Sequence, residues 1–247
     1  MDVLLDLRDA WRLVLPDALA GLYVHGSLIA GDFDPDRSDL DVLAVLTADP
    51  DERLLGVLAG LHAGLGRRHP AWAGRIEVEY VSIDAVRAAG GGDHLIARIS
   101  PGEALHLLPA TTHRVVTWAG VQHSGRCLLG PPAGELLPAF DAGLVESALL
   151  DHVRDWPVWV RSMTAAPGGQ SYAVLTMCRA VQRLRYGRQL SKRQAADRTI
   201  EACPEWADLI AWARDWWYDH GDAADAGRAD DVHTFVVEIS AQLTGKR

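Results

Sequence analysis

The sequence predicts an α/β domain over residues 1–135 followed by an all-helical bundle over residues 136–247. The first observation behind this is the stretch 23–46, YVHGSLIAGDFDPDRSDLDVLAVL, in which two apolar runs bracket a Gly-Ser turn and a polar loop. The second is the period-2 alternation of 75–82, RIEVEYVS, which reads as a further strand. The third is a change of texture at about Leu136, after which helix-period patterns follow one another with little strand signal.

Taken in order, Asp2 to Ala20 reads as an amphipathic helix, with Leu4, Leu5, Trp11, Leu13 and Val14 among its apolar positions. Pro16 is placed to end or kink it. Leu22 to His25 is a strand, Ser27 to Ala30 a helical turn, and 31–38 (GDFDPDRS) a loop of turn residues and acids. Asp39 to Leu46 is the second strand, with Leu40, Val42, Ala44 and Leu46 turned to a core. Asp51 to Arg68 is a helix with Leu54, Leu55, Val57, Leu58 and Leu61 inward, ending before His69-Pro70. Residues 83–112 show only breaks, at Gly90-Gly91-Gly92 and Pro101-Gly102. Thr112 to His123 reads as a helix and Arg126 to Leu129 as a short strand closed by Gly130-Pro131-Pro132.

The second half reads as about five helices. They run over Asp141–Arg161 (interrupted near Pro157), Ser171–Tyr186, Lys192–Ala202, Glu205–Tyr218 and Asp231–Leu243. Pro167-Gly168-Gly169 is expected to be a loop, Ser191 an N-cap, and Gly221 to Gly227 a linker. Trp206, Trp212, Trp216 and Trp217 are expected in one helix, where a tryptophan-rich core is favoured over stacking on a ligand ring.

Asp39 and Asp41 stand at i and i+2, so in an extended chain both carboxylates share a face. Like charges so placed are costly without a positive partner, and hard oxygen donors of this kind suit a Mg²⁺ ion that also holds nucleotide phosphates. Gly26 lets the backbone approach a phosphate, and Ser27 adds a hydroxyl and an N–H at a helix start. Glu77 and Glu79 lie on one strand face, and either fits a general base or a third metal ligand. The ordinary alternative is a hairpin with solvated acidic edges, which explains neither the paired aspartates nor the Gly-Ser turn. Asp32, Asp34 and Asp36 lack the glycine and distal glutamate of a calcium loop and read as solvated acids. His25 reads as a packed strand-end residue. His106, His113 and His123 have no zinc-ligand spacing.

A net charge of −9 argues against a broad nucleic-acid surface. Cys127, Cys178 and Cys203 are scattered without metal or disulfide spacing, no apolar run reaches membrane length, and a cytoplasmic setting is expected.

The Gly-Ser turn, the spacer and the Asp-Leu-Asp strand together resemble the signature of the DNA polymerase beta-like nucleotidyltransferase superfamily. The segment 171–197, SYAVLTMCRAVQRLRYGRQLSKRQAAD, resembles the helical domain of the streptomycin/spectinomycin (aminoglycoside) adenylyltransferases. The resemblance implies a mixed sheet in the first domain and transfer of AMP from ATP to a hydroxyl, with release of pyrophosphate. It implies that Asp39 and Asp41 bind Mg²⁺, that Glu77 is the catalytic base, and that Gly26, Ser27, Ser38, Arg179 and Lys192 hold ATP phosphates. It points to an aminoglycoside acceptor, hence antibiotic resistance; a monomer is expected, though nothing in the residues themselves fixes the oligomeric state. One departure stands out: 164–170 (TAAPGGQ) has no carboxylate where drug-modifying members carry tryptophan and acids, though Asp151, Asp155 and Trp159 lie upstream. The competing readings are adenylylation of another metabolite or a protein, and a nucleotide-binding sensor or antitoxin-like module without turnover.

Overall fold

The computed structural model describes residues 2–219, 221–222 and 227–245, so residues 223–226 of the expected linker lie outside the described residues. The chain divides into two compact units, Met1–Val145 and Glu146–Arg247.

The first unit is built on a six-stranded sheet in the order β5-β4-β3-β2-β1-β6. The strands are β1 Leu19–Val24, β2 Leu40–Leu46, β3 Ile76–Ser82, β4 Leu95–Ser100, β5 Glu103–Pro109 and β6 Arg126–Leu129. β2 and β3 pair parallel and every other pair is antiparallel, so the sheet is mixed. One face carries Leu40, Val42, Ala44 and Leu46 together with Ile76, Val78 and Tyr80, in a single core with Trp11 of α1 (Asp2–Val14) and Leu58 and Leu65 of α3 (Glu52–Arg68). Asp51 caps α3, its side chain accepting from the Leu54 N–H at 2.7 Å. The opposite face buries Leu43, Val45 and Val81. There α5 (Val115–Ser124) sends Trp118 to the sheet.

Several expectations shift. The first helix stops at Val14, before Pro16, and β1 begins at Leu19 and ends at Val24. Val57 is 43% exposed because the buried stripe of α3 runs through Leu58, Leu61 and Leu65. The stretch without assigned elements holds α4 (Ile83–Arg87) and the β4–β5 hairpin. Pro101-Gly102 is the hairpin turn: Ser100 pairs with Glu103, and Gly102 takes φ +78°, open to a residue without a Cβ.

Behind this core His62 shares a 2.8 Å hydrogen bond with the Tyr80 hydroxyl and meets the Trp11 ring edge-on at 5.7 Å. Burial lowers its pKa from 6.5 to about 4. The folded unit thus keeps the imidazole neutral while the unfolded chain takes a proton near pH 6.5. Stability from this group is present above that pH and is lost as pH falls toward 4, by about 3 kcal/mol in full. His62→Gln should therefore flatten the acid side of the stability profile. Urea unfolding of both proteins at pH 7 and pH 4.5 checks this, and an equal loss in both contradicts it.

The second unit is helical: α7 (Ala142–Met163, beginning just before it), α8 (Pro167–Tyr186), α9 (Lys192–Ala202), α10 (Ala207–Tyr218) and α11 (Ala229–Thr244). Its core joins Val153, Trp156, Val174, Met177, Val181, Ile210, Phe235 and Ile239. The interruption expected at Pro157 is absent. Proline removes the N–H that would reach the Val153 carbonyl, and the buried Ser240 hydroxyl donates to that carbonyl instead, at 2.8 Å. The loop expected at Pro167–Gly169 is the first turn of α8, with proline at its first position. A Cβ on Gly169 would lie 2.0 Å from the Met163 carbonyl oxygen, so glycine permits this sharp entry. Trp206 stands on a short 3-10 turn before α10 and meets Phe235 at 5.4 Å, while Trp212 and Trp217 line the core as half-buried residues. Among the described residues no helix is long and apolar enough to cross a membrane.

Candidate active site

β1 delivers the chain to His25, whose N–H donates to the Asp41 carbonyl at 3.0 Å. Gly26 then turns with φ +67°, and α2 (Ser27–Ala30) follows as a single helical turn. A Cβ at Gly26 would lie 1.8 Å from Asp41 Oδ2. The Asp41 carboxylate is therefore packed against the backbone of the Gly-Ser turn, and any larger residue would displace it. The first N–H groups of a helical turn have no partner inside it, and here Ile29 and Ala30 fold back onto the Gly26 carbonyl.

The parallel register sets Asp41 beside Glu77, Leu43 beside Glu79 and Val45 beside Val81. Asp41 and Glu77 thus share a face at the start of adjacent strands. Asp39 precedes β2 and is half-buried. Its approach is fixed by Arg75, which donates to the carbonyls of Pro35 (2.8 Å) and Ser38 (2.6 Å) and lies 4.8 Å from the Trp72 ring centroid. Ser38 closes the loop, its hydroxyl accepting from the Asp34 N–H at 3.0 Å. Asp34 accepts in turn from the Asp36 N–H at 2.9 Å, so it is a turn residue rather than only a solvated acid.

The two glutamates have different environments. Glu77 keeps 32% of its side chain exposed and receives one bond from Arg98 Nη2 at 3.1 Å. Glu79 is 6% exposed, accepts from Trp118 Nε1 at 2.6 Å and faces Arg114 at 3.3 Å. Burial raises its pKa against the opposing pull of Arg114 and Trp118. Glu79 is committed to fastening α5 to the sheet, and Glu77 is the glutamate that solvent reaches beside Asp41.

Among the described residues no three His, Cys, Asp or Glu side chains form a ready-made metal cage. Mg²⁺ is usually held by one or two carboxylates plus substrate phosphates, so an Asp39–Asp41 donor set beside an N–H-bearing turn suits it.

In the helical unit Arg179 is exposed on α8, and Lys192 is the first residue of α9, introduced by a Ser191–Gln194 capping box. On α7, Asp151 is engaged by Arg154, and Trp159 stands 36% exposed beside His152 and Trp156. The segment 164–170 spans the end of α7 and the entry to α8.

Sequence reasoning missed Arg75, Arg98, Arg114 and Trp118. Arg98 lies in β4, opposite Glu79 in the antiparallel register, so recognising the Pro101-Gly102 hairpin would have placed it next to the glutamate face.

Residues 135–242 match the family model of the aminoglycoside adenylyltransferase C-terminal domain. No curated protein matches the chain. Among solved structures, the chain is similar to spectinomycin adenyltransferase AAD(9) from Enterococcus faecialis, crystallised with ATP and spectinomycin. That likeness has a TM-score of 0.77 at 15% identity, covering 98% of each chain, and is a likeness of fold. The resemblance to aminoglycoside adenylyltransferases is thus borne out, by a family match over residues 135–242 and by a shared fold over nearly the whole chain.

Proposed function

We propose that the protein is a nucleotidyltransferase that moves AMP from ATP to a hydroxyl of a small molecule, foremost an antibiotic of the aminoglycoside class. The observation that carries this reading is the placement of Asp41 against the Gly26-Ser27 turn and in register with Glu77, in a chain whose C-terminal part matches an aminoglycoside adenylyltransferase domain. Asp39 and Asp41 would hold Mg²⁺, which when bound neutralises phosphate charge and polarises the α-phosphorus. Glu77 accepts the proton of the acceptor hydroxyl as its oxygen forms a bond to the α-phosphorus and the bond to the leaving pyrophosphate breaks. Arg98 holds the Glu77 carboxylate from the far side, away from Asp41's strand. The N–H groups of the Ser27 turn and the Ser27 and Ser38 hydroxyls orient phosphate oxygens, and Arg179 and Lys192 supply positive charge to the triphosphate.

A second reading concerns the acceptor. The carboxylate-free stretch 164–170 favours a less cationic molecule than a typical aminoglycoside. A pyrophosphate-release screen across antibiotics and other hydroxylated metabolites, with the nucleoside triphosphate varied, tests both. The expected result is ATP-dependent release with at least one small acceptor. Tight nucleotide binding with no release across the panel would favour a sensor over an enzyme.

A further inference from the structure

The Lys192 ammonium lies 4.0 Å from the Trp217 ring centroid and 5.0 Å from that of Tyr172. The two rings are 6.1 Å apart and inclined at 41°, forming two walls contributed by α10 and α8. The next residue repeats the pattern. The Arg193 guanidinium sits 3.9 Å from the Tyr218 ring, and the Arg193 N–H donates to the Tyr218 hydroxyl at 3.0 Å. Consecutive basic residues at the start of α9 therefore stand on consecutive aromatic residues at the end of α10. The base of the lysine stem is fixed as well, since the Ser191 hydroxyl accepts from the Gln194 N–H at 3.3 Å.

A lysine stem has many rotamers, and a phosphate that recruits it must freeze them. A ring face draws the ammonium through its quadrupole and so narrows the positions that the charge at the end of the stem takes. Resting on the reading that Lys192 meets the nucleotide's phosphates, we infer that Trp217 and Tyr172 are positioning residues that preset its ammonium for them. Their contribution falls on nucleotide affinity and passes entirely through Lys192.

Calorimetric titration of the full chain with Mg²⁺-ATP tests this. Trp217→Leu and Tyr172→Leu should each weaken ATP binding about five- to tenfold, while Trp217→Phe, which keeps a ring, should retain most of it. In a Lys192→Met background neither leucine substitution should weaken binding further, because the ammonium they position is gone. Tyr172 is 37% exposed, so its replacement leaves the fold standing even if Trp217→Leu disturbs the bundle. If Lys192→Met weakens ATP binding while Tyr172→Leu and Trp217→Leu do not, the inference is wrong and the nucleotide reading stands. Equal losses in the Lys192→Met background also overturn it. Failure of the wild-type chain to bind ATP removes the reading and the inference together.

Discussion

Asp41→Asn is expected to lower Mg²⁺-ATP turnover at least about a thousandfold, the loss that follows when several kcal/mol of charge stabilisation at the phosphates disappears. The side chain is nearly isosteric, and its place against Gly26 is preserved, so melting temperature and circular dichroism should hardly change. The substitution removes one negative charge at the point where β2, β3 and the Gly-Ser turn meet. Asp39→Asn should act in the same direction. Steady-state pyrophosphate release measures both, and full activity in either variant removes that residue from metal binding.

The two glutamates of β3 should respond in opposite ways, although they lie two residues apart on one face. Glu77→Gln should abolish most turnover with little change in stability, because the residue is part-exposed and makes a single ion pair with Arg98. Glu79→Ala should destabilise the first unit by about 3 kcal/mol, since it leaves Arg114 and the Trp118 indole N–H without their buried acceptor. That corresponds to a fall of roughly 6–12 °C in melting temperature for a unit of this size. Calorimetric scans of both variants, paired with turnover, check the contrast. A stable Glu79→Ala protein without activity would reverse the two assignments.

What was legible in the sequence was local. The β1–α2–β2 stretch announces itself because alternation, the Gly-Ser turn and the Asp-Leu-Asp strand lie within a few residues of one another. The start of α9 is legible for the same reason, since Ser191 and Gln194 cap it reciprocally. What escaped depends on distant partners. Glu77 and Glu79 look equivalent until Arg98 and Trp118, 21 and 39 positions downstream, are folded onto them. Pro157 reads as a helix break because its remedy, Ser240 on the Val153 carbonyl, lies 87 residues from the group it satisfies. The β5 edge strand is part-exposed along its whole length and so shows no burial alternation to read. The aromatic seat of Lys192 likewise joins α8, α9 and α10, and no single window contains it.

The most direct measurement is anomalous diffraction from crystals grown with Mn²⁺, standing in for Mg²⁺, and an ATP analogue that cannot be cleaved between the α- and β-phosphates. The expected map has a metal peak bound by the Asp39 and Asp41 carboxylates, phosphates at the Gly26-Ser27 turn, and Glu77 facing the α-phosphorus. A nucleotide bound away from these carboxylates, or a metal peak that persists unchanged in Asp41→Asn crystals, would contradict it.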